Sequence, residues 1–316
     1  MEFIHNLHNL RERHRNCAAT IGNFDGVHLG HQAIIKQLKT VARSQNLPAV
    51  LVTFEPHPQE FFMPGKAPAR LMRLREKIAC MQEYGIDRMV ALRFDQKLAA
   101  MPAENFVKEI LVQKLDIKRL IVGDDFRFGN NRQGDIAQLR EFGKIYGFAV
   151  DGTVTCEVDG RRISSSRVRE TLGRGDMDEA VRLLGRPYTI AGRVVHGAKR
   201  GRSLGYPTIN INLHRLRSPV SGIFASKVYG LGQKPVQAVT SIGTRPMFDG
   251  GNVNLEAHLL DFDREAYGAY VRVELLKQLR LEQMFDTIES LKEQIEKDIA
   301  ATREFFAGNN KKKAVN

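Results

Sequence analysis

The first half of the chain alternates short apolar runs with amphipathic stretches. Apolar runs predict strands, and apolar residues at helical spacing between them predict helices. The predicted strands are Cys17–Ile21, Ala49–Phe54, Arg88–Phe94 and Arg119–Val122, and the predicted helices are Leu29–Arg43, Arg73–Tyr84, Ala103–Leu115 and Asp135–Tyr146. This alternation is typical of a parallel sheet covered by helices, so we predict an α/β domain.

After Gly185-Arg186-Pro187 the pattern changes to a simple alternation of apolar and polar residues. The alternating segments are Tyr188–Val195, Ile223–Tyr229, Val236–Ile242, Asn254–Leu260 and Tyr270–Leu276. Because no helical stretch separates them, they predict a small antiparallel barrel or sandwich. Leu281–Phe306 then predicts one long amphipathic helix. We therefore predict two domains, 1–184 and 185–316.

The composition is that of a folded globular protein. Hydrophobic residues make up 42% and charged residues 27% of the 316 residues. No apolar run approaches the ~20 residues that span a membrane, and the first residues do not resemble a secretory signal. Cys17, Cys80 and Cys156 are far apart and lack metal-site spacing, which favours neither zinc nor disulfides. We expect a cytoplasmic protein without a membrane partner.

The formal net charge of +12 fits nucleic acid, an acidic membrane or small anionic substrates such as nucleotides. A nucleic-acid-binding barrel is one alternative, but the chain has no Trp and its aromatic residues are not interleaved with basic runs. We expect small-molecule partners and no nucleic acid.

A pair of histidines lies where the strand Cys17–Ile21 gives way to a helix. The segment TIGNFDGVHLGHQ places His28 and His31 three residues apart on the first helical turn, with Gly30 between them. A helix N-terminus offers backbone N–H groups and partial positive charge to phosphates. The alternative is that one histidine only caps the helix. Neither G-x-G-x-x-G nor a Walker sequence is present, which excludes ordinary dinucleotide-binding and P-loop sites.

Two later segments of the α/β half have side chains that suit a nucleotide. Asp124 and Asp125, in GDDFRFG, follow a predicted strand, so they fall at the carboxyl end of the sheet where such folds bind ligands. The segment RRISSSRVR combines hydroxyls with arginines, and both groups bind phosphate oxygens. A turn motif for the aspartates and an N-cap for the serines are the alternatives.

The barrel half contains a second set of candidate residues. A glycine-rich connection precedes a strand on which Thr208 and Asn210 point to the same face. Their side-chain oxygens could ligate a magnesium ion that bridges ATP phosphates. Glu256 is a carboxylate in an otherwise apolar strand, as a base that deprotonates an alcohol would be. From the pattern alone, solvent-facing positions are the commoner explanation for these three residues.

These motifs resemble a known family. GNFDGVHLGH, GDDFRFG and ISSSRVR look like the adenylyltransferase half of the bacterial bifunctional riboflavin kinase/FMN adenylyltransferases, and GRVVHGAKRGRSLGYPTINI, LEAHLLDF and LRLEQMF look like their flavokinase module. The resemblance implies a Rossmann-like nucleotidyltransferase domain followed by a small β-barrel flavokinase domain with a C-terminal helix. It also implies that riboflavin is phosphorylated to FMN in the second domain and FMN is adenylylated to FAD in the first, with release of pyrophosphate. Both reactions would use ATP with Mg²⁺.

The resemblance also implies roles for individual residues. His28 and His31 would act on the triphosphate in catalysis, and Glu256 would be the base toward the riboflavin 5′-hydroxyl. Arg280 would contact the flavin. His57, in a segment that also matches the family, would do the same, and a structural loop is the alternative for it because two prolines are nearby. The ATP-binding residues implied for adenylylation are Gly22, Asn23, Phe24, His28, His31, Asp125, Arg162, Ser165 and Arg169, and those implied for the kinase are Gly197, Gly205, Thr208 and Asn210, of which Thr208 and Asn210 would also bind Mg²⁺.

This sequence departs from the family pattern at Ser166, where threonine is usual, and at Asp125, where some relatives have asparagine. Asp125 could accept from a ribose or join a magnesium shell. The α/β half alone would serve a nucleotidyltransferase with another acceptor equally well. We expect a monomer or a weak homo-oligomer that acts on ATP, riboflavin and FMN.

Overall fold

The computed structural model describes residues 1–197, 201, 204–213, 215, 217–244 and 253–314. The chain divides into two compact units. The first unit comprises Met1–Pro68 and Met72–Ser165, and the second comprises Ala69–Leu71 and the chain from Ser166 onward.

The first unit is built on a six-stranded sheet in which every pair of neighbours is parallel. Its strands are β1 (Glu2–His5), β2 (Cys17–Ile21), β3 (Ala49–Glu55), β4 (Arg88–Arg93), β5 (Ile117–Gly123) and β6 (Ala149–Thr153), in the order β1-β4-β3-β2-β5-β6. The predicted α/β fold is confirmed. The strand order reverses at β2, and ligands of such sheets bind at the carboxyl ends of the strands next to this reversal.

The helices of the first unit connect successive strands. They are α1 (Leu29–Ser44), α2 (Pro58–Phe62), α3 (Leu74–Glu83), α4 (Gln96–Ala99), α5 (Ala103–Asn105) and α6 (Ile136–Tyr146), and a hairpin of β7 (Glu157–Val158) and β8 (Arg161–Arg162) follows β6. All five residues of β2 are buried. Alternate residues of a strand point to opposite faces, so Cys17 joins the core on one side of the sheet and Ala18 the core on the other.

The predicted helix Ala103–Leu115 has a different geometry from the one expected. Only Ala103–Asn105 is α-helical, and Phe106–Lys114 continues it as a π-helix. A π-helix is wider than an α-helix because its hydrogen bonds span five residues. Phe106, Val107, Ile110 and Leu111 are its buried residues.

The second unit begins with two helices and closes into a barrel. Helix α7 (Ser165–Gly173) starts on the last residue of the first unit and leads to α8 (Met177–Leu184). The barrel strands are β9 (Tyr188–Val195), β10 (Thr208–Asn212), β11 (Gly222–Tyr229), β12 (Val236–Thr244), β13 (Val253–Leu259) and β14 (Tyr270–Arg280), in the closed order β10-β13-β12-β11-β14-β9. All six pairings are antiparallel, so the barrel alternative is confirmed and the sandwich is excluded.

The largest differences between predicted and observed boundaries in the second unit are at the end of β14 and at both ends of the last helix. Strand β14 continues to Arg280, and register shifts in its pairing with β11 interrupt the alternation that marks a strand in the sequence. The last helix, α9 (Ile288–Ala314), starts seven residues after the predicted Leu281 and ends eight residues after the predicted Phe306. The Thr287 hydroxyl accepts from the Ser290 N–H at 3.1 Å, which caps the helix and fixes its start.

Within the described part of the chain, no helix combines the length and the apolar character that a membrane span requires.

Candidate active sites

The connection from β2 to α1 forms a tight turn whose shape depends on two unusual backbone positions. Phe24 and Val27 are non-glycine residues with positive φ angles of 46°, and Gly26 between them has a φ of 84°. Both apolar side chains are buried, which anchors the turn to the core. Residues other than glycine adopt such φ angles only when the surrounding structure holds them. The turn is therefore held in a defined shape at the carboxyl end of the central strand.

The two histidines are stacked at the start of α1. Their ring centroids are 3.7 Å apart with 16° between the planes, and the Phe24 ring lies 4.9 Å from that of His31. His28 is the N-cap residue, and its Nδ1 accepts the His31 N–H at 3.4 Å. The expectation that His28 lies within the first turn is wrong, because the helix begins at Leu29. A Cβ on Gly30 would be 3.2 Å from the His28 ring, so a residue without a side chain suits this position.

His31 has a buried ring nitrogen and a lowered pKa. Its Nδ1 is buried and has no hydrogen-bond partner among the described residues, and the same is true of Asn23 Oδ1. Burial lowers the pKa of His31 well below its usual 6.5, and electrostatic interactions with His28 and Lys77 lower it further. The imidazole is therefore neutral at neutral pH, with a ring nitrogen left for a ligand.

Asp125 and Arg162 are brought together. Arg162 Nη2 lies 2.6 Å from Asp125 Oδ2 and 3.7 Å from Asp124 Oδ1, and Asp124 also accepts from the Thr155 hydroxyl at 2.5 Å. Both partners of the closer pair are substantially exposed. Such a pair contributes little to stability, so its groups can exchange partners when a charged ligand arrives.

Ser165 and Arg169 fall in different units. The Ser165 hydroxyl donates to the Asp25 carbonyl oxygen at 2.9 Å, and both residues belong to the first unit. Arg169 belongs to the second unit, where its Nε donates to the Ala69 carbonyl oxygen at 2.6 Å.

His57 has a local structural role. It is the N-cap of α2, and its Nδ1 accepts the Gln59 N–H at 3.2 Å. Glu60 returns a hydrogen bond by accepting the His57 N–H at 3.3 Å, which completes a capping box. The loop role that the sequence left open for His57 is thus present in the structure.

The barrel brings three predicted kinase residues onto one face. In the antiparallel ladder of β10 and β13, Asn210 is directly opposite Glu256, and Thr208 is opposite His258. These positions alternate with buried residues on both strands, so they lie on the outer face of the barrel. A hydroxyl, an amide and a carboxylate therefore share one small polar surface, with His258 beside them.

The glycines before β10 allow the chain to pass close to this surface. A Cβ on Gly197 would collide with the side-chain amide of Asn210. Gly205 has a φ of +95°, which favours glycine. Of the predicted glycine-rich connection, residues 198–200, 202 and 203 lie outside the described residues.

Arg280 is held by a partner on α9. Its Nε and Nη2 donate to the carboxylate of Asp298 at 3.0 and 2.8 Å, and Gln294 donates to the same carboxylate. Asp298 is only 5% exposed. In this arrangement the Arg280 guanidinium joins β14 to α9.

Sequence reasoning missed Lys77, a buried residue of α3 whose Nζ donates to the Asn23 carbonyl oxygen at 2.6 Å. One signal could have found it. Lys77 precedes Cys80 and Met81 by three and four residues, which places it on the buried face of the helix. It also missed His258 and Asp298, which become neighbours of candidate residues only through strand pairing and helix packing.

Comparison with known proteins gives consistent matches along the chain. The FAD synthetase family profile matches residues 10–167, and the riboflavin kinase family profile matches residues 184–306. A protein of Escherichia coli strain K12 named bifunctional riboflavin kinase/FMN adenylyltransferase is 47% identical over 307 residues, covering 97% of this chain and 98% of that protein. A Haemophilus influenzae protein of the same name is 44% identical, covering 97% and 99%.

One solved structure resembles the whole chain. A crystal structure from Streptococcus pneumoniae, titled as a macrolide-efflux protein, aligns with a TM-score of 0.82 and 28% identity, covering 96% of this chain and 99% of the other. The α/β unit and the barrel thus occur together in a second protein.

Proposed function

This chain belongs to the bifunctional riboflavin kinase/FMN adenylyltransferase family, and from that premise we propose which of its residues carry each reaction. The protein is a transferase that phosphorylates riboflavin to FMN and adenylylates FMN to FAD. We propose that residues 1–184 perform adenylylation and residues 185–316 perform phosphorylation. The order of the two family matches along the chain supports this division.

We propose that adenylylation takes place at the histidine turn. A phosphate oxygen of FMN attacks the α-phosphorus of ATP, the bond to the β-phosphate oxygen breaks, and pyrophosphate leaves. The attacking oxygen is already ionised at neutral pH, so the protein has to position the reactants and neutralise charge rather than remove a proton. The Nδ1 of His31 has no hydrogen-bond partner in the described part of the chain, and its ring stacks on His28; this is the observation that carries the proposal.

We assign the remaining adenylylation residues by the same resemblance. Gly22, Asn23 and Phe24 would line the nucleotide, and Ser165, Arg169 and Arg162 would hold the β- and γ-phosphates. Asp125 would release Arg162 when ATP binds, because their exposed ion pair is weak. His57 is assigned to the flavin side, although its ring nitrogen also caps α2.

We propose that Glu256 is the base of the kinase reaction. It would accept the proton of the riboflavin 5′-hydroxyl as that oxygen attacks the γ-phosphorus of ATP, and ADP would leave. The pairing of Glu256 with Asn210 across the ladder is the observation that carries this assignment. Gly197 and Gly205 would let the backbone approach ATP, and Arg280 would lie toward the flavin.

The donors at Thr208 and Asn210 fit Mg²⁺. Both offer neutral side-chain oxygens on one strand face, and hard cations of this kind take oxygen ligands. When bound there with ATP, Mg²⁺ would neutralise phosphate charge.

We further propose that the protein acts in the cytoplasm on small molecules, as a monomer or weak homo-oligomer, without nucleic acid or membrane partners. Cys17, Cys80 and Cys156 form no disulfide, as is usual in a reducing compartment.

The test of the proposed function is a time course with riboflavin, ATP and Mg²⁺, in which riboflavin, FMN and FAD are separated by chromatography. We expect FMN to appear first and FAD to follow. Salt-sensitive nucleic-acid binding without turnover, or adenylylation of another acceptor in preference to FMN, would contradict the proposal.

A further inference from the structure

Lys77 is a buried cation beneath the histidine turn. The residue is only 5% exposed, and its Nζ donates to the Asn23 carbonyl oxygen at 2.6 Å and to the Thr53 hydroxyl at 3.4 Å. The Thr53 hydroxyl in turn donates to the same Asn23 carbonyl at 3.3 Å. Two donors from two different elements, α3 and β3, therefore converge on one backbone oxygen of the turn.

These hydrogen bonds hold the turn next to its first residue with an unusual backbone conformation, Phe24. Asn23 immediately precedes Phe24, the first of the two non-glycine residues with positive φ. Its side-chain oxygen is buried without a hydrogen-bond partner among the described residues. Fixing the Asn23 carbonyl fixes the peptide plane that leads into Phe24.

Lys77 also supplies charge at this position. Burying an ammonium group costs free energy, so a buried lysine is usually retained where its hydrogen bonds or its charge have a specific role. The positive charge of Lys77 contributes to lowering the pKa of His31, which places the two groups within electrostatic range of each other. Since His31 is neutral, it can offer a hydrogen bond to a phosphate but no full charge. A fixed positive charge on this side of the turn therefore comes from Lys77.

We propose that Lys77 is a positioning residue for FMN adenylylation, which holds the Asn23 carbonyl and places positive charge beneath the turn that receives the ATP triphosphate. This inference rests on the proposed function of the histidine turn. Preorganised charge of this kind is effective because it needs no rearrangement when the reaction occurs.

The test compares K77M, K77R and T53V with the unmodified full-length protein. The control is K36M, which removes an exposed lysine from α1, the helix that carries His31. For each protein, kcat and KM for ATP are measured with FMN supplied, riboflavin kinase activity is measured in the same preparation, and circular dichroism follows thermal unfolding.

We expect K77M to lower kcat/KM for ATP in adenylylation by about 10- to 100-fold, the effect of losing one charge-assisted hydrogen bond. K77R, which keeps the charge, should recover part of this loss. T53V should lower the same parameter by about 2- to 10-fold, as expected for a neutral hydrogen bond. Kinase activity should be unchanged in all variants, and K36M should match the unmodified protein in both reactions.

A spectroscopic measurement separates positioning from mere structural support. In K77M the pKa of His31, followed by NMR of the imidazole Cε1–H, should rise because a neighbouring positive charge is gone, with His28 still present. A purely structural lysine would leave it unchanged.

Two results would overturn the inference. One is a K77M protein that adenylylates FMN within about threefold of the unmodified efficiency, well under the loss of a charged hydrogen bond. The other is an equal loss of adenylylation efficiency in K77M and K77R, together with normal efficiency in T53V and an unchanged pKa of His31 in K77M. Failure of the proposed function itself would be recognised separately, because H31A and H28A would then retain adenylylation.

Discussion

Asn210 on β10 and Glu256 on β13 are directly opposite each other in the antiparallel ladder of the barrel. Side chains at opposed positions share one face, with Cβ atoms about 4.5–5.5 Å apart. An amide on one strand and a carboxylate on the next therefore form a single polar site, although 46 positions separate them in the sequence (256 − 210).

The first prediction concerns Glu256. E256Q keeps the shape of the side chain but removes its ability to accept a proton, so FMN formation from riboflavin should fall by about 10²- to 10⁴-fold. FAD formation from supplied FMN should be unchanged. Both rates are measured by chromatography of the flavins. The matched control is E265Q, an exposed carboxylate between β13 and β14 that should leave both reactions intact. Equal loss of both reactions in E256Q would contradict the assignment.

The second prediction concerns the close approach at Gly197. In G197A the new methyl group would collide with the Asn210 amide and displace it from the face that it shares with Glu256. Kinase activity should fall by about tenfold or more, because small displacements of positioned groups are costly in catalysis. Adenylylation of supplied FMN should continue. The control is G173A at the end of α7, where nothing lies within 4 Å of an added Cβ. If G197A phosphorylates riboflavin normally, Asn210 is not held where we infer.

The fold could be predicted from the sequence wherever the periodicity was uninterrupted. Strand β9 matches its predicted range, and β3 differs from it by one residue. Strand β1 was missed because Ile4 is its only buried residue, which leaves no pattern to detect. The end of β14 and the start of α9 depend on register shifts and on the Thr287 cap, which do not alter hydrophobicity in any periodic way.

The candidate sites were predictable to the extent that their residues are neighbours in sequence. His28, Gly30 and His31 lie within four consecutive residues at the N-cap and first turn of α1, so their spacing in the sequence was enough to bring them together. The contact between Lys77 and the Asn23 carbonyl joins residues 54 positions apart, and the Arg280–Asp298 pair joins a strand to a helix. Such contacts are set by tertiary packing, which a single sequence does not record.

The third prediction concerns the histidine pair. H28A/H31A should lower FAD formation from supplied FMN by at least about 10²-fold, the effect of losing positioned hydrogen-bond donors at a reacting group. Riboflavin phosphorylation should persist, so FMN should accumulate in a time course with riboflavin and ATP. The control is H8A, an exposed histidine of the first unit, which should have no effect. Retention of FAD formation in the double variant would remove the histidine turn from the mechanism.

The fourth prediction concerns the pH dependence of stability. The pKa of His31 is below 6.5 in the folded protein because burial disfavours its charged form, whereas the unfolded chain has the ordinary value. Between these two pKa values the unfolded state binds the extra proton, so the free energy of unfolding falls as the pH drops below about 6.5. Above that value His31 contributes no pH dependence.

The measurement is thermal unfolding of the unmodified protein and of H31N at pH values between 5 and 8. The difference in Tm between the two proteins should change below pH 6.5 in favour of H31N and should be constant above it. A difference that is constant over the whole range would show that His31 has an ordinary pKa in the folded state.

The fifth prediction concerns the pair of Arg280 and Asp298. Asp298 is nearly buried, so D298A would leave the Arg280 guanidinium without its bidentate partner in a largely enclosed position. Breaking a buried pair on one side costs about 3–5 kcal/mol, and the partial exposure of Arg280 reduces the expected loss to about 2–3 kcal/mol. Because this pair joins β14 to α9, the loss should appear as a lower Tm of the barrel and a lower riboflavin kinase activity. D286A, which removes an exposed carboxylate just before α9, is the control. If D298A keeps its Tm while the KM for riboflavin rises, Arg280 contributes to riboflavin binding and its ion pair with Asp298 does not stabilise the barrel.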